Sequence, residues 1–266
     1  ALIKGRPPKN NVPCGTGSPT LCSKQDTSVV YGSSVYGKIA YDTFSVNSPI
    51  MFNTVRTNKQ QYLIRKKDME DAGIFASTIR SIAMEAKGTS TPGHVYSNFR
   101  IWIKCTEKEE LSKTEGFENF GMTQVYSAPT VTFEDGLHTY PLTTPYNWDT
   151  TKNLIIQLCY SDNPDVDTGC GVTSQPPVIL YTPTTYISGL KLIGATPAIT
   201  SVCGVDIDAA ILDVPARPIF HFTYCEADPL PFDITWLNTD YLSDTTIVQP
   251  LAYVPKSTTF VVQTIG

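Results

Sequence analysis

Phe99-Arg100-Ile101-Trp102-Ile103-Lys104-Cys105 is the stretch on which the fold turns. Apolar and polar or bulky residues alternate along it, and β-branched and aromatic side chains dominate. Successive side chains of a strand point to opposite faces. Phe99, Ile101, Ile103 and Cys105 therefore share one face, and Arg100, Trp102 and Lys104 share the other. Trp102 makes that second face bulky too, so one of the two faces should cover something: a second sheet or a neighbouring module.

Similar text surrounds it. Gln61-Tyr62-Leu63-Ile64, Thr130-Val131-Thr132-Phe133, Val178-Ile179-Leu180-Tyr181 and Ile219-Phe220-His221-Phe222-Thr223-Tyr224 read as strands, with turn residues between them. Thr78-Ile79-Arg80-Ser81-Ile82-Ala83-Met84 alternates with Ile79 and Ile82 out of phase, which asks for an irregularity in the ladder. Leu154-Ile155-Ile156-Gln157-Leu158-Cys159-Tyr160 is nearly continuous and reads as a central strand. One short helix is expected at Lys67-Asp68-Met69-Glu70-Asp71-Ala72, closed by Gly73, and a further turn at Lys108-Glu109-Glu110-Leu111. The expected fold is all-β: a jelly-roll-like sandwich over residues 27–225, preceded by a Pro- and Gly-rich linker or tail over 1–26. From residue 226 a new β module begins. Asp233-Ile234-Thr235-Trp236 and Thr258-Thr259-Phe260-Val261-Val262-Gln263-Thr264 supply strands, and about 40 residues make a partial core at best.

Composition narrows the function. Hydrophobic residues are 41% and charged residues 17%, with a net charge of −5. A nucleic-acid partner needs a basic footprint, which is missing. No apolar run approaches the roughly 18 residues that read as a membrane span. The opening Ala1-Leu2-Ile3-Lys4 has neither Met nor signal-peptide pattern, so a processed or excised segment is expected. The seven cysteines suggest disulfides formed in an oxidising compartment. Cys14 and Cys22 flank one turn-like stretch, and Cys159 and Cys170 another, so each pair could close a small loop. The odd count leaves one thiol free or paired elsewhere.

Several stretches together resemble repeat domains of secreted surface proteins of Bacteroidota. They are Gln60-Gln61-Tyr62-Leu63-Ile64-Arg65 with Asp71-Ala72-Gly73, Thr144-Pro145-Tyr146-Asn147-Trp148-Asp149 before the Leu154–Cys159 run, and Arg217-Pro218-Ile219-Phe220-His221-Phe222. The tail, with Thr235-Trp236, Leu242-Ser243-Asp244, Gln249-Pro250 and Ser257-Thr258-Thr259-Phe260-Val261-Val262, resembles a PKD-like immunoglobulin repeat. This pairing is similar to parts of the long gliding-motility adhesins exported by the type IX secretion system. The resemblance implies an extracellular, cell-surface, non-enzymatic module for adhesion or spacing. Its partners would be neighbouring modules of the same chain, a surface polysaccharide or other cell-surface proteins. Thr150 stands where those repeats usually have Gly, and residues 104–108 replace their commoner turn, so ligand identity does not transfer.

Candidate chemistry is sparse. Three histidines, His94, His138 and His221, sit without a nucleophile elbow. Glu109-Glu110 and Glu134-Asp135 are adjacent pairs, and neighbouring acids on a strand point apart. No cofactor is expected, with Ca2+ as the one ion to consider. Asp162, Asp165 and Asp167 concentrate carboxylates in one loop, where an exposed Asx-turn-rich loop is the alternative. Asp206, Asp208 and Asp213 form a looser set. Tyr140, Tyr146 and Trp148 are candidates for stacking on a sugar ring, with a core position as the alternative for Trp148. A carbohydrate-binding module is the runner-up function.

Overall fold

The computed structural model describes residues 14–17, 25–30, 57–72, 74, 77–87, 94–161, 178–192, 211–226, 233–236, 241–242, 253 and 261–265. It is identified with two units, residues 11–226 and residues 1–10 with 227–266. In chain order the strands of the first unit are β1 (Gly15–Thr16), β2 (Gln25–Val30), β3 (Asn58–Ile64), β4 (Ser77–Lys87), β5 (His94–Thr106), β6 (Thr123–Phe133), β7 (Gly136–Trp148) and β8 (Asn153–Tyr160). They continue with β9 (Val178–Ile179), β10 (Tyr181–Pro183), β11 (Gly189–Leu192), β12 (Ile211–Val214), β13 (Ala216–Pro218) and β14 (Phe220–Glu226). The helix α1 (Lys66–Asp71) follows β3.

The strand order defines a jelly roll. One sheet runs β1-β7-β4-β14-β2, and the other runs β12-β11-β3-β8-β5-β6, all pairs antiparallel. Removing the short flanking strands leaves β2-β14-β4-β7 facing β3-β8-β5-β6, the arrangement produced by folding a long hairpin over on itself in two Greek keys. The irregularity expected in β4 is present as a register shift between Ile79 and Ser81.

Period-two patterning places the core between the sheets. Phe99, Ile101 and Ile103 of β5 and Leu154, Ile156 and Leu158 of β8 are buried in it, facing Ile79, Ile82 and Met84 of β4 and Phe220 and Phe222 of β14. Aromatic rings bridge the layers. Phe99 meets Tyr140 of β7 at 5.2 Å between centroids, and Tyr62 meets Phe220 edge-on at 6.1 Å.

Residues 1–26 are expected to be a linker or the tail of a preceding module, but Gly15 and Thr16 extend the first sheet by pairing with Asn147 and Tyr146. Gly17 follows at a tight crossing. Its N–H donates to Pro145 O at 2.6 Å, and a Cβ there would lie 2.7 Å from Thr78 Cγ2. Strand β7 was not foreseen as a strand, because Pro141 and Pro145 interrupt its text. On its outer side β1 and Gly17 reach only as far as Pro145, so Pro141 has no described partner on that side. The β6 edge likewise carries Pro129. Prolines on open edges discourage edge-to-edge pairing.

In the second unit, β15 (Asp233–Trp236) pairs antiparallel with β16 (Val262–Ile265), Trp236 opposite Val262. Tyr253 N–H donates to Tyr241 O at 2.8 Å. The rest of the expected partial Ig-like module lies outside the described residues.

Candidate functional site

The outer face of the second sheet is built from the side chains that alternate with the core. On β5 these are Arg100, Trp102 and Lys104, each half-buried. Trp102 pairs across to Gln157 of β8, Gln157 to Gln61 of β3, and Gln61 to Leu190 of β11. One half of this face is sealed. Residues 107–122, the connection from β5 to β6, lie over β3, β8 and β11 as a strap. Its Leu111 and Phe117 form a small apolar cluster with Leu63, Ile155, Leu190 and Leu192. Gln61 fixes the strap by both ends of its amide: Oε1 accepts from Glu118 N–H at 2.8 Å and Nε2 donates to Glu118 O at 2.9 Å, while also donating to Gln157 Oε1 at 2.8 Å. The Glu118 carboxylate meets Lys104 Nζ at 2.9 Å and also pairs with Lys108. Burial alone would raise its pKa, but hydrogen bonds from Lys108 and Lys104 outweigh that and hold it below the ordinary value.

The strap reaches β5 only at Lys104, and the other half of the face, over β6 and the Arg100–Trp102 part of β5, is less covered by it among the described residues. Gln124, which pairs with Trp102, and Ser127, which pairs with Arg100, are exposed. Trp102 Nε1 is shielded from solvent and has no hydrogen-bond partner. Phe120, at the rim of the strap, is 92% exposed.

A second polar group surrounds Arg217 of β13, whose side chain is fully buried. Its Nη2 lies 3.2 Å from Asp68 Oδ2 but off hydrogen-bonding geometry, so the attraction is Coulombic. Asp68 also accepts from Arg65 N–H at 3.2 Å and from Tyr186 OH at 3.1 Å, and Arg65 stacks on the Tyr186 ring at 3.6 Å. Burial, aided by the Asp68 charge, pushes the Tyr186 phenol up to about 12. This cluster pins α1 to β13.

The sequence candidates fall as follows. Cys14 is bonded to Cys105, across from the first sheet to the second, and so not to Cys22, which lies outside the described residues. Proximity in sequence does not set this pairing: β1 carries Cys14 to the end of β5 with the Cα atoms 6.1 Å apart. Cys159 is disulfide-bonded; Cys170 lies outside the described residues, as do Asp162, Asp165, Asp167, Asp206 and Asp208.

Tyr140, Tyr146 and Trp148 are no stacking platform: all three are buried, at 4%, 2% and 1% exposure, because β7 turns these alternate positions into the core. Tyr146 OH accepts from Cys105 N–H at 3.1 Å, and burial, partly offset by that bond, pushes its phenol up to about 12. Trp148 Nε1 donates to Lys152 O at 2.9 Å. Trp102 sits half-buried on the outer face of the second sheet.

His138 Nε2 donates to Glu134 O at 2.7 Å and its ring packs on Phe133. His221 is half-buried on β14, where burial lowers its pKa and Glu85 opposes the shift. Glu109, Glu110, Glu134 and Asp135 are exposed, and Asp213 accepts from Lys113 N–H at 2.7 Å. Among the described residues, no three His, Cys, Asp or Glu side chains gather as a metal site, and no helix is long and apolar enough to cross a membrane. Comparisons with family models, curated proteins and solved structures find no match.

Proposed function

We propose that the chain is a non-enzymatic module of a large secreted surface adhesin, working outside the cell in attachment and spacing. The observation that carries this reading is the Cys14–Cys105 cystine, which ties β1 of one sheet to β5 of the other. Such ties persist where the surroundings are oxidising and are rare where glutathione keeps thiols reduced. A second cystine at Cys159 points the same way. Proline-blunted edges on β6 and β7 suit a module that must stand beside copies of itself without sheet fusion. The sequence resemblance to gliding-motility adhesins supplies the setting.

The test is made on the organism that produces the chain. An antibody raised against the purified module should label intact, unpermeabilised cells, and deletion of the module should lower attachment under flow. Labelling only after permeabilisation sinks the reading. The runner-up, carbohydrate binding, is favoured by one feature, the less covered face around Trp102.

A further inference from the structure

We propose that the less covered half of the second sheet's outer face is a glycan-binding platform centred on Trp102, taking an acidic, carboxylate-bearing polysaccharide. The proposal deepens the adhesive reading and rests on it for its biological setting.

The strap divides this face by chemistry. Over β3 and β8 it meets apolar residues and a satisfied amide ladder, and those positions are closed. It reaches β5 at Lys104 and goes no further toward β6 among the described residues. The indole of Trp102 there lies half-buried at the register shift of the β5–β6 ladder, its Nε1 shielded, with exposed Gln124 beside it and exposed Ser127 one row along. A pyranose ring has an apolar face that matches an aromatic ring and an equatorial rim of hydroxyls that need donors and acceptors. A sheet face with one aromatic and flanking amide and hydroxyl groups meets both needs without a deep pocket. The indole N–H, which has no partner, is a donor left for a hydroxyl once the side chains over it shift.

Charge selects among glycans. Arg100, one pleat away from Trp102 on the same face, makes no ion pair with any described residue, whereas Lys104 is already engaged by Glu118 and by Phe120 O. A guanidinium offers a planar fork that fits a carboxylate. The chain as a whole is acidic, with a net charge of −5, so non-specific attraction to a polyanion is weak and a local contact must supply it. A uronate-type polymer places a carboxylate on each ring, within reach of a cation next to the stacking residue.

The test uses the purified full chain, with its disulfides intact, in affinity electrophoresis through gels containing polygalacturonate, dextran or dextran sulfate, at about 0.15 M salt to suppress diffuse attraction. Retardation by polygalacturonate is expected, weakened about tenfold in W102A. R100Q should lose the preference for polygalacturonate over dextran while keeping any weak retardation by dextran. Calorimetric melting of both variants checks the fold, and W102F, which keeps a ring but removes the N–H, should bind with intermediate strength. Unchanged binding in W102A overturns the proposal. So does equal retardation by dextran sulfate that ignores Trp102, which marks bare charge attraction, or sedimentation showing dimers that W102A dissolves, which marks the face as a contact between copies. Failure of every glycan overturns this inference and leaves the cell-labelling result, and with it the adhesin reading, standing; periplasmic or cytosolic labelling with intact glycan binding does the reverse.

Discussion

Replacing Cys14 and Cys105 together by Ser removes the tie between the sheets without leaving a lone thiol. The cystine spans a sequence separation of 91. In the chain-entropy account, opening a loop of that length returns about 16 cal/mol/K to the unfolded chain, or about 4.6 kcal/mol of stability at room temperature. Set against the unfolding entropy of residues 11–226, this amounts to a fall in melting temperature of about 10 °C. Nearby contacts should survive in the folded state: the Cys105 N–H bond to Tyr146 OH and the β1–β7 pairing use backbone groups that Ser retains. The effect therefore sits in the unfolded ensemble. Scanning calorimetry of C14S/C105S beside the parent measures it, both without reductant so that the Cys159 cystine stays closed. A midpoint within about 2 °C of the parent's would refute the reasoning, since no ordinary loop-closure term is that small.

Three further predictions concern packing and charge. Asp68→Asn keeps the oxygen that serves Arg65 and Tyr186 but strips the charge facing buried Arg217, so it should cost about 3 kcal/mol in urea unfolding, and adding Arg217→Met should recover part of the loss. Gln61→Leu removes the partner of the Glu118 N–H and C=O and one hydrogen bond to Gln157 Oε1, so it should cost about 2 kcal/mol and let trypsin cut after exposed Lys113 faster than in the parent; unaltered cleavage there counts against the strap as described. Because the folded state holds the Glu118 pKa below its ordinary 4.5, its share of stability is full above that value and is lost as pH falls through the lower folded one. Acid titration followed by pepsin, which is active at that pH and cuts beside Leu111 and Phe117, should show the strap released in that window, and E118Q should remove the pH dependence.

Much of the sandwich was legible because two of its central strands are written in strong period-two or continuous apolar text. β5 and β8 were visible from Phe99 to Cys105 and from Leu154 to Tyr160, and even the β4 irregularity showed as a phase slip between Ile79 and Ile82. β7 was not legible. Its prolines read as breakers, and only tertiary position, on an open edge, makes them harmless. That one miss explains the stacking candidates: Tyr140 and Tyr146 are core residues of an unseen strand, and Trp148 takes the core position weighed as its alternative. Disulfide pairing failed for a related reason. Proximity along the chain favoured Cys14 with Cys22, but strand pairing brings Cys14 to a residue 91 positions away. The site was half legible. The alternation already set Trp102 opposite the core, but nothing local says that the strap would close β3 and β8 and reach β5 only at Lys104.

The cystine between β1 and β5 also governs how the chain would answer tension. A pull reaching Cys14 from its N-terminal side passes through sulfur directly into the end of β5, bypassing everything between. About 90 residues at about 3.4 Å each, roughly 300 Å of contour length, stay slack-free and withheld until the bond is reduced. A tether built from such units would lengthen in short steps when oxidised and long ones when reduced, so the redox state of its surroundings would set how far it stretches.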